Sequence, residues 1–414
     1  MIKNILFVNL RGQSVERLKP VYTAKSMGLQ VILLTDSIPE NDLGLFEDII
    51  IRDTYNQFET VEFFKKYNTT KTISGIITWS DKDVELVAKL GKALDLPTIS
   101  IQSSTLVRNK YEMRLAMNKI EGLCPQFRSV KNLDDFKTAV GELGYGGILK
   151  PVGASGSKAI IQVDDNNTLE NTFKNMLELT SPRDDKVYTY YPYEYIYEEF
   201  IDGPEVTVDG IVQNNHVYIA GVTDKFITNK HSLEYAAFFP SKKDSKTIEE
   251  IKMKTELAVK SLGINDAAFH LECRVSSKGV MILECAGRAG GGFVSSHLIE
   301  LASNKSFHEQ VIRVSLGLPV EWEEYDKISL KYAGSYFVYP NKRGSLKEIS
   351  GFKNAIEIQG IEYVIPNVEI GDFIDIPPEN VSTILASLIA TNSSYEELIN
   401  NLETSVGKLS FTVQ

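Results

Sequence analysis

Cysteine is scarce in this chain. Three residues in 414, Cys124, Cys273 and Cys285, show neither metal-ligand spacing nor a disulfide framework, and such usage points to a reducing compartment. Long apolar runs are absent too. None approaches the roughly 18 residues that a membrane span needs, so the expectation is a cytoplasmic protein without a membrane partner. Positive charge is in the minority, with 44 Lys and Arg against 55 Asp and Glu, a net charge of −11 and a pI of about 5.2. A surface this acidic repels phosphate backbones and argues against a nucleic-acid partner, although it leaves room for a local basic pocket. The glycines of a dinucleotide fingerprint are missing after the first apolar run, where Asn9-Leu10-Arg11-Gly12-Gln13 stands instead. A dinucleotide-dependent oxidoreductase is therefore a poor fit. No repeat and no low-complexity linker interrupts the chain.

What is present is an ordinary globular composition, 43% hydrophobic and 24% charged, in a chain long enough for two to four domains. The first apolar run ends at Asn9 and Arg11 with no small-residue cleavage site behind it, so it reads as a buried strand rather than a signal peptide. Strands are expected at 2–9, Gln30–Thr35 and Ile73–Thr78, with helices at Val15–Met27 and Lys82–Leu94. This alternation suggests an open parallel sheet over the first 100 residues. Residues 106–122 read as a charged helical connector ended by Gly122 and Pro125. From Glu205 to Leu283 strands dominate, interrupted by a helix near Thr247–Leu262. Residues 330–414 read as a smaller strand-rich lobe with a late helix at Tyr395–Val406.

The chemistry concentrates in residues 269–286, FHLECRVSSKGVMILECA. Phe269, Leu271, Cys273 and Val275 alternate with His270, Glu272 and Arg274, the period of a strand with one polar face. A three-residue loop Ser277-Lys278-Gly279 would place glycine at its left-handed position. Counting outward from it sets Glu272 opposite Glu284, with Cys273 and Cys285 on the buried face. Opposed carboxylates repel, so a cation is expected between them, and hard oxygen ligands suit Mg²⁺. Read alone, the pair is equally a solvent-facing one screened by Arg274 or Arg288. The run Gly287-Arg288-Ala289-Gly290-Gly291-Gly292 favours an anionic substrate, because Arg288 follows Glu284 by four residues and successive glycines expose backbone amides.

A second donor-rich stretch is Gly144–Lys158, GYGGILKPVGASGSK. Lys150 closes a strand. Gly153, Ser155, Gly156 and Ser157 then form a loop that ends at Lys158 and leads into another strand, Ala159–Val163. Its amides and hydroxyls suit phosphates. It is not a P-loop, since no G-x-x-x-x-G-K-[ST] opens a helix.

Taken in order, these pieces resemble the ATP-grasp superfamily. Thr78-Trp79-Ser80-Asp81 and Leu94-Asp95-Leu96-Pro97 close the first sheet, and Asn109-Lys110-Tyr111-Glu112-Met113-Arg114 resembles the superfamily's D-K-x-x-M-R connector. Ile148-Leu149-Lys150-Pro151, the glycine loop, Tyr197–Val208 and the Glu272/Glu284/Arg288 set follow. Within the superfamily the sequence looks most like the biotin-carboxylase-like group and especially the L-amino acid ligases. The resemblance implies an α/β protein, α+β in its ATP-binding part. It would have an N-terminal open parallel α/β domain over 1–105, a connector helix over 106–125 and a lid subdomain over 126–200. A large C-terminal part over 201–414 would include the strand-rich lobe from 330.

The same resemblance implies roles. Lys110 and Lys150 would hold ATP phosphates, with Lys158 and the Gly153–Ser157 loop closing over them. Glu198 would accept from the adenine amino group, the Glu199–Phe200–Ile201 backbone would pair the base edge, and Glu205 would bind the ribose. Glu272 and Glu284 would bind Mg²⁺, with Mn²⁺ as the alternative. Arg288, with Lys150 and Lys158, would stabilise the transferring phosphate. His270, Arg288, Gly290 and Gly291 would touch substrate. Ala286 departs from the pattern, since many relatives carry Asn there, which leaves the coordination of a second ion open. The implied activity is ATP-dependent carboxylate–amine ligation through an acyl phosphate, joining two amino acids, with a homodimer left open. Rival readings are a carboxylase or purine-pathway ligase on the same fold, and a non-catalytic ATP-binding regulator. The implied substrate wall joins the Trp79–Asp83 loop, residues His231–Phe238 and Gly287–Ser296, where Asp81, Asp83 and Glu234 would suit a cationic amino acid.

Overall fold

The structure is a computed structural model that describes residues 3–10, 14–39, 43–156, 158–164, 168–228, 233–322, 331–377 and 382–414. The N-terminal unit is built on β1 (Asn4–Val8), β2 (Gln30–Thr35), β3 (Asp48–Ile51) and β4 (Ile73–Thr78). All pairs are parallel, in the order β3-β2-β1-β4. The strands are short apolar runs buried on both faces, as helix-covered parallel strands are. Helices α1 (Ser14–Ser26), α2 (Gln57–Tyr67) and α3 (Val84–Leu94) flank them. The pair β3 and α2 has no counterpart in the sequence reading.

The expected single connector is two helices, α4 (Ile101–Arg108) and α5 (Lys110–Met117). Asn109 adopts extended backbone between them, and its side chain accepts from the amides of Tyr111 and Glu112. An Asn with a hydrogen-bonding side chain caps a new helix better than it continues an old one. The chain leaves helical geometry at Met117, well before Gly122.

A four-stranded antiparallel sheet follows, in the order β5-β8-β6-β7, from β5 (Phe127–Val130), β6 (Ile148–Pro151), β7 (Ile161–Gln162) and β8 (Tyr195–Glu198). Helices α6 (Leu133–Leu143) and α7 (Leu169–Leu179) cover it, with Phe136, Phe173, Tyr195 and Tyr197 at the core. Beside it, Tyr190 stacks on Tyr55 at 5.2 Å and the Tyr191 hydroxyl donates to Glu85 at 2.5 Å. These contacts seat the lid against the loop that precedes α2 and against α3.

The large sheet has eight strands. Six come in sequence: β9 (Glu205–Gln213), β10 (His216–Ile227), β11 (Glu234–Phe239), β12 (Ala267–Ser276), β13 (Gly279–Ala286) and β14 (Tyr332–Val338). The rest of the chain supplies β15 (Gly344–Ser350), β16 (Ile361–Pro366), β17 (Phe373–Ile374), β18 (Ala386–Asn392) and β19 (Ser410–Val413). The order β13-β12-β9-β10-β11-β14-β18-β16 carries the sheet into the C-terminal lobe, where β17-β15-β19 form a separate three-stranded sheet. One face packs on α5 and on α8 (Ser245–Ser261), through Val206, Val208, Leu271, Cys273 and Cys285. Short helix α9 (Ile299–Ser303) and α10 (Phe307–Ser315) bridge this sheet to the first, since Val311 and Val314 share a core with Ile5, Phe7 and Ile211. Among the described residues no helix is long and apolar enough to cross a membrane.

Candidate active site

The alternation read from residues 269–286 produces two antiparallel strands, and Glu272 does pair with Glu284. The route to that register differs from the expected one. Ser276 pairs with Gly279, so the loop has two residues, Ser277-Lys278, and Gly279 opens the return strand at a φ of +97°. A two-residue loop alone would set Glu272 opposite Leu283. A bulge between Glu272 and Cys273 on one strand and Ile282 and Glu284 on the other absorbs Leu283 and restores the carboxylate pair. The Leu283 carbonyl accepts from the guanidinium of Arg114, a fully buried side chain on α5. The bulge is thereby fixed from outside the hairpin. Cys273 and Cys285 lie on the buried face, as expected.

Register carries the polar face across the sheet. Glu284, Glu272, Thr207 and Thr223 form one row; His270 and Asp209 lie in the row on one side of it, and Arg274, Glu205, Lys225 and Ala237 in the row on the other. Side chains alternate across a strand, so these rows share a face. Glu272, Glu284, Thr207, His270, Lys225 and Ala237 of these rows floor a cavity of about 300 Å³ whose walls include Lys110, Lys150, Ser155, Gly156, Lys158, Asp81, Arg288, Gly291, Gly292 and Tyr339. The N-terminal unit, the lid and the large sheet all contribute to it.

Cations and carboxylates alternate around the cavity. Lys110 donates to Glu284 at 2.8 Å and to the Ala154 carbonyl at 2.6 Å. Lys225 lies 2.9 Å from Glu272 and 2.7 Å from Glu205. Burial works against the Lys225 ammonium, but the surrounding carboxylates Glu272, Glu205 and Glu234 outweigh it and hold its pKa well above the ordinary value. Burial likewise opposes ionisation of Glu272, yet Lys225 and His270 keep its pKa well below the ordinary carboxylate range. His270 sits 3.2 Å from the buried Asp209; burial pulls the imidazole down, and Asp209 overrides it, pushing the pKa up to about 9. Arg288 reaches Asp81 at 2.5 Å rather than lying between the glutamates. Its charge is held by Asp81 despite burial.

Several expected roles meet a different geometry. The Glu198 carboxylate is buried between Arg114 at 2.7 Å and Lys150 at 2.6 Å. Burial raises its pKa, and the two cations more than reverse that. A buried carboxylate must be compensated, and here the compensation comes from Arg114 and Lys150. Lys150 correspondingly has its pKa lowered, first by burial, with Glu198 opposing. Glu205 is equally enclosed, by Lys225 and by Arg274 at 3.3 Å, which leaves the ribose role without a free carboxylate. At the expected base edge, the Glu199 amide donates to the Gln126 carbonyl and the Ile201 carbonyl accepts from Arg274, whose guanidinium lies 5.3 Å from the centre of the exposed Phe200 ring. The Gly290 amide donates to Asp209 at 2.8 Å, so in the glycine run it is Gly291 and Gly292 that line the cavity. In the phosphate loop Ser155, Gly156 and Lys158 line the cavity, with Lys158 paired to Asp185 at 2.5 Å. Gly153 is turned away, its carbonyl accepting from Arg108. Ser157 lies outside the described residues, as does His231 of the expected substrate wall. Asp83 is not on that wall; it is fully buried against Asn9 and Lys82.

Lys225, Asp209 and Tyr339 escaped the sequence reading. Lys225 carried a signal in hindsight, a lone cation inside a β-rich stretch two residues from the strand end, but nothing local tied it to Glu272, 47 residues away.

The donor chemistry fits magnesium. Among the described residues no group of three or more His, Cys, Asp or Glu is placed to hold an ion. Two facing carboxylates, 29% and 25% exposed to the cavity, would supply only part of a shell. Mg²⁺ commonly takes one or two protein carboxylates and completes its shell with water and phosphate oxygens. Ala286, opposite His270, adds no ligand. The Thr207 hydroxyl and the Arg288 Nε, both at the cavity, have no hydrogen-bond partner among the described residues, which suits a polar occupant.

Comparison with known proteins gives two family matches, an ATP-grasp domain over residues 143–297 and the L-amino acid ligase C-terminal domain 2 over residues 336–414. Alanine–anticapsin ligase of Bacillus amyloliquefaciens is 26% identical over 247 residues, 56% of this chain and 52% of that protein. The chain thus spans about half the length of that curated relative. The crystal structure of an L-amino acid ligase from Bacillus licheniformis superposes with a TM-score of 0.85 at 20% identity, covering 100% of this chain and 99% of that one. The biotin carboxylase domain dimer of Hydrogenobacter thermophilus 2-oxoglutarate carboxylase, in complex with MgADP, ADP and bicarbonate, superposes at 0.75 with 16% identity, covering 100% and 91%.

Proposed function

We propose, for a chain that carries an ATP-grasp domain and an L-amino acid ligase C-terminal domain, that it joins two amino acids at the expense of ATP. The observation that carries this reading is the facing pair Glu272 and Glu284, each drawn to a lysine from another element, with Arg288 on the same cavity. A site for a simple regulator needs no such concentration of compensated charge.

The chemistry needs two displacements. A substrate carboxylate oxygen bonds to the γ-phosphorus of ATP, and the bond from that phosphorus to the β–γ bridging oxygen breaks, releasing ADP. The amine of a second amino acid then bonds to the acyl carbon, the C–O bond to phosphate breaks, and the nitrogen loses a proton. Magnesium, when bound at Glu272 and Glu284, would supply charge neutralisation for the phosphates. Lys110, Lys150 and Lys158 would orient the triphosphate from the connector and lid. Arg288 would hold the transferring phosphate in line, since phosphoryl transfer is limited by positioning and by charge on the oxygens. Asp81 would keep the guanidinium aimed. The lid, seated on the N-terminal unit through Tyr190 and Tyr191, would exclude water that otherwise hydrolyses the acyl phosphate.

The test is phosphate release from ATP with all pairs of the twenty amino acids. Amino-acid-dependent release is expected, and its absence with every pair sinks the reading. Glu284→Gln should lower turnover at least ~100-fold with an unchanged melting profile; an active variant removes the metal role.

A further inference from the structure

We infer that Glu234 anchors the α-ammonium group of the amino acid whose carboxylate is activated. This rests on the ligase reading above and narrows it to zwitterionic α-amino acids, as against plain carboxylic acids.

The support is a charge count around the cavity. Its walls carry five Lys and Arg residues, and each has a carboxylate within 2.9 Å: Lys110 with Glu284, Lys150 with Glu198, Lys158 with Asp185, Lys225 with Glu272 and Glu205, and Arg288 with Asp81. Of the four lining carboxylates, Asp81, Glu272 and Glu284 are satisfied by these pairs. Glu234 is not. Among the described residues its nearest cation is Lys225 at 3.9 Å, already shared by two closer carboxylates. Among the described residues nothing donates a hydrogen bond to its carboxylate. A partly buried carboxylate left with the weakest claim on a shared cation is a place for an incoming one.

The surroundings are shaped to the same end. Gly292 has a φ of +63°, and a Cβ there would lie 2.7 Å from Glu234 Oε1, so the carboxylate lies against bare backbone. The Tyr339 hydroxyl donates to the Glu234 carbonyl at 3.0 Å and holds the start of β11 in place. Leu233, Ala237 and Val294 add apolar wall, which fits a small aliphatic side chain better than a charged one. The donor amino acid is the one to assign. Its ammonium persists through both displacements and needs a lasting counter-charge, whereas the acceptor nitrogen must shed a proton, which a fixed carboxylate would oppose.

Phosphate release by the full chain tests this. The best donor amino acid, its deamino analogue and lysine are compared in the wild type, Glu234→Gln and Glu234→Asp. In the wild type the amino acid should surpass its deamino analogue by about 10- to 100-fold in kcat/KM. In Glu234→Gln the KM for the amino acid should rise by a similar factor, the KM for ATP should hold, and the preference over the deamino acid should collapse. Glu234→Asp should retain part of it. A Gln variant that keeps the wild-type preference overturns the assignment. So does a loss confined to lysine, which would mark a side-chain ammonium site. Should the wild type release no phosphate with any amino acid, the ligase reading fails separately. The anchor is then judged by calorimetric titration of alanine and propionate into wild type and Glu234→Gln, where equal alanine affinities reject it.

Discussion

A carboxylate kept ready for a ligand costs stability while the ligand is absent, and the cost at Glu234 can be worked out. Burial, partly offset by Lys225, lifts its pKa from the ordinary 4.5 to about 7. At about 1.4 kcal/mol per pH unit, ionising Glu234 in the fold costs at most roughly 3 kcal/mol. The side chain is 27% exposed, and solvent screening brings the expected figure nearer ~1–2 kcal/mol. The sign follows from linkage. The folded-state pKa lies above the unfolded one, so the folded state prefers the protonated acid. The wild type is therefore unpenalised below about pH 4.5 and loses stability as pH rises toward 7. Glu234→Gln cannot ionise and avoids that loss. Melting curves of both ligand-free proteins between pH 5 and 8.5 should diverge, the Gln variant gaining a few degrees at pH 8 and almost nothing near pH 5. A saturating donor amino acid should stabilise the wild type more than the variant and so reverse the gap. A Gln variant that melts lower at pH 8, or a difference that stays flat across the range, refutes the claim that Glu234 has no cation of its own among the described residues.

Two further variants test the polar frame. Arg114→Leu should cost about 3 kcal/mol in chemical denaturation because it removes one of the two cations that compensate the buried Glu198 carboxylate and leaves only Lys150, and adding Glu198→Gln should recover more than ~1 kcal/mol of it; strict additivity would show that the pair is not coupled. Lys150→Ala should weaken ATP binding by about tenfold or more by calorimetric titration, and an unchanged affinity counts against its place beside the phosphates.

How much of this was legible in the sequence depends on range. The Glu272–Glu284 pairing was readable because alternation and turn chemistry act over a few residues, and both lie in one hairpin. The loop was misjudged by one residue, since Gly279 suits the end of a three-residue loop as well as the first position of a return strand. The error was cancelled by a bulge whose cause, Arg114, lies 169 residues from Leu283. Glu198 was read from its motif as a ligand-facing group, yet its surroundings are set by two cations 84 and 48 residues earlier, beyond any local pattern. Lys225 becomes part of the site only through the pairing of β10 with β9, whereas Glu234 already stands on the implied substrate wall. The helix α10 went unread although its buried residues Phe307, Val311 and Val314 fall at i, i+4 and i+7, the spacing of an amphipathic helix. The parallel N-terminal strands were legible because burial on both faces leaves a continuous apolar run.

The way Arg114 holds the Leu283 carbonyl has an evolutionary corollary. In most hairpins the turn dictates which residues meet further along, so lengthening the turn by one residue moves every side chain to the wrong face. Here the alignment of the two glutamates is pinned downstream, by a helix that never touches the turn. The tip at Ser277-Lys278 is thereby released from the demands of the chemistry. It can drift, grow or accept a grafted recognition segment while Glu272 and Glu284 keep facing each other, and a library built at that tip would sample new surface without sampling inactive registers.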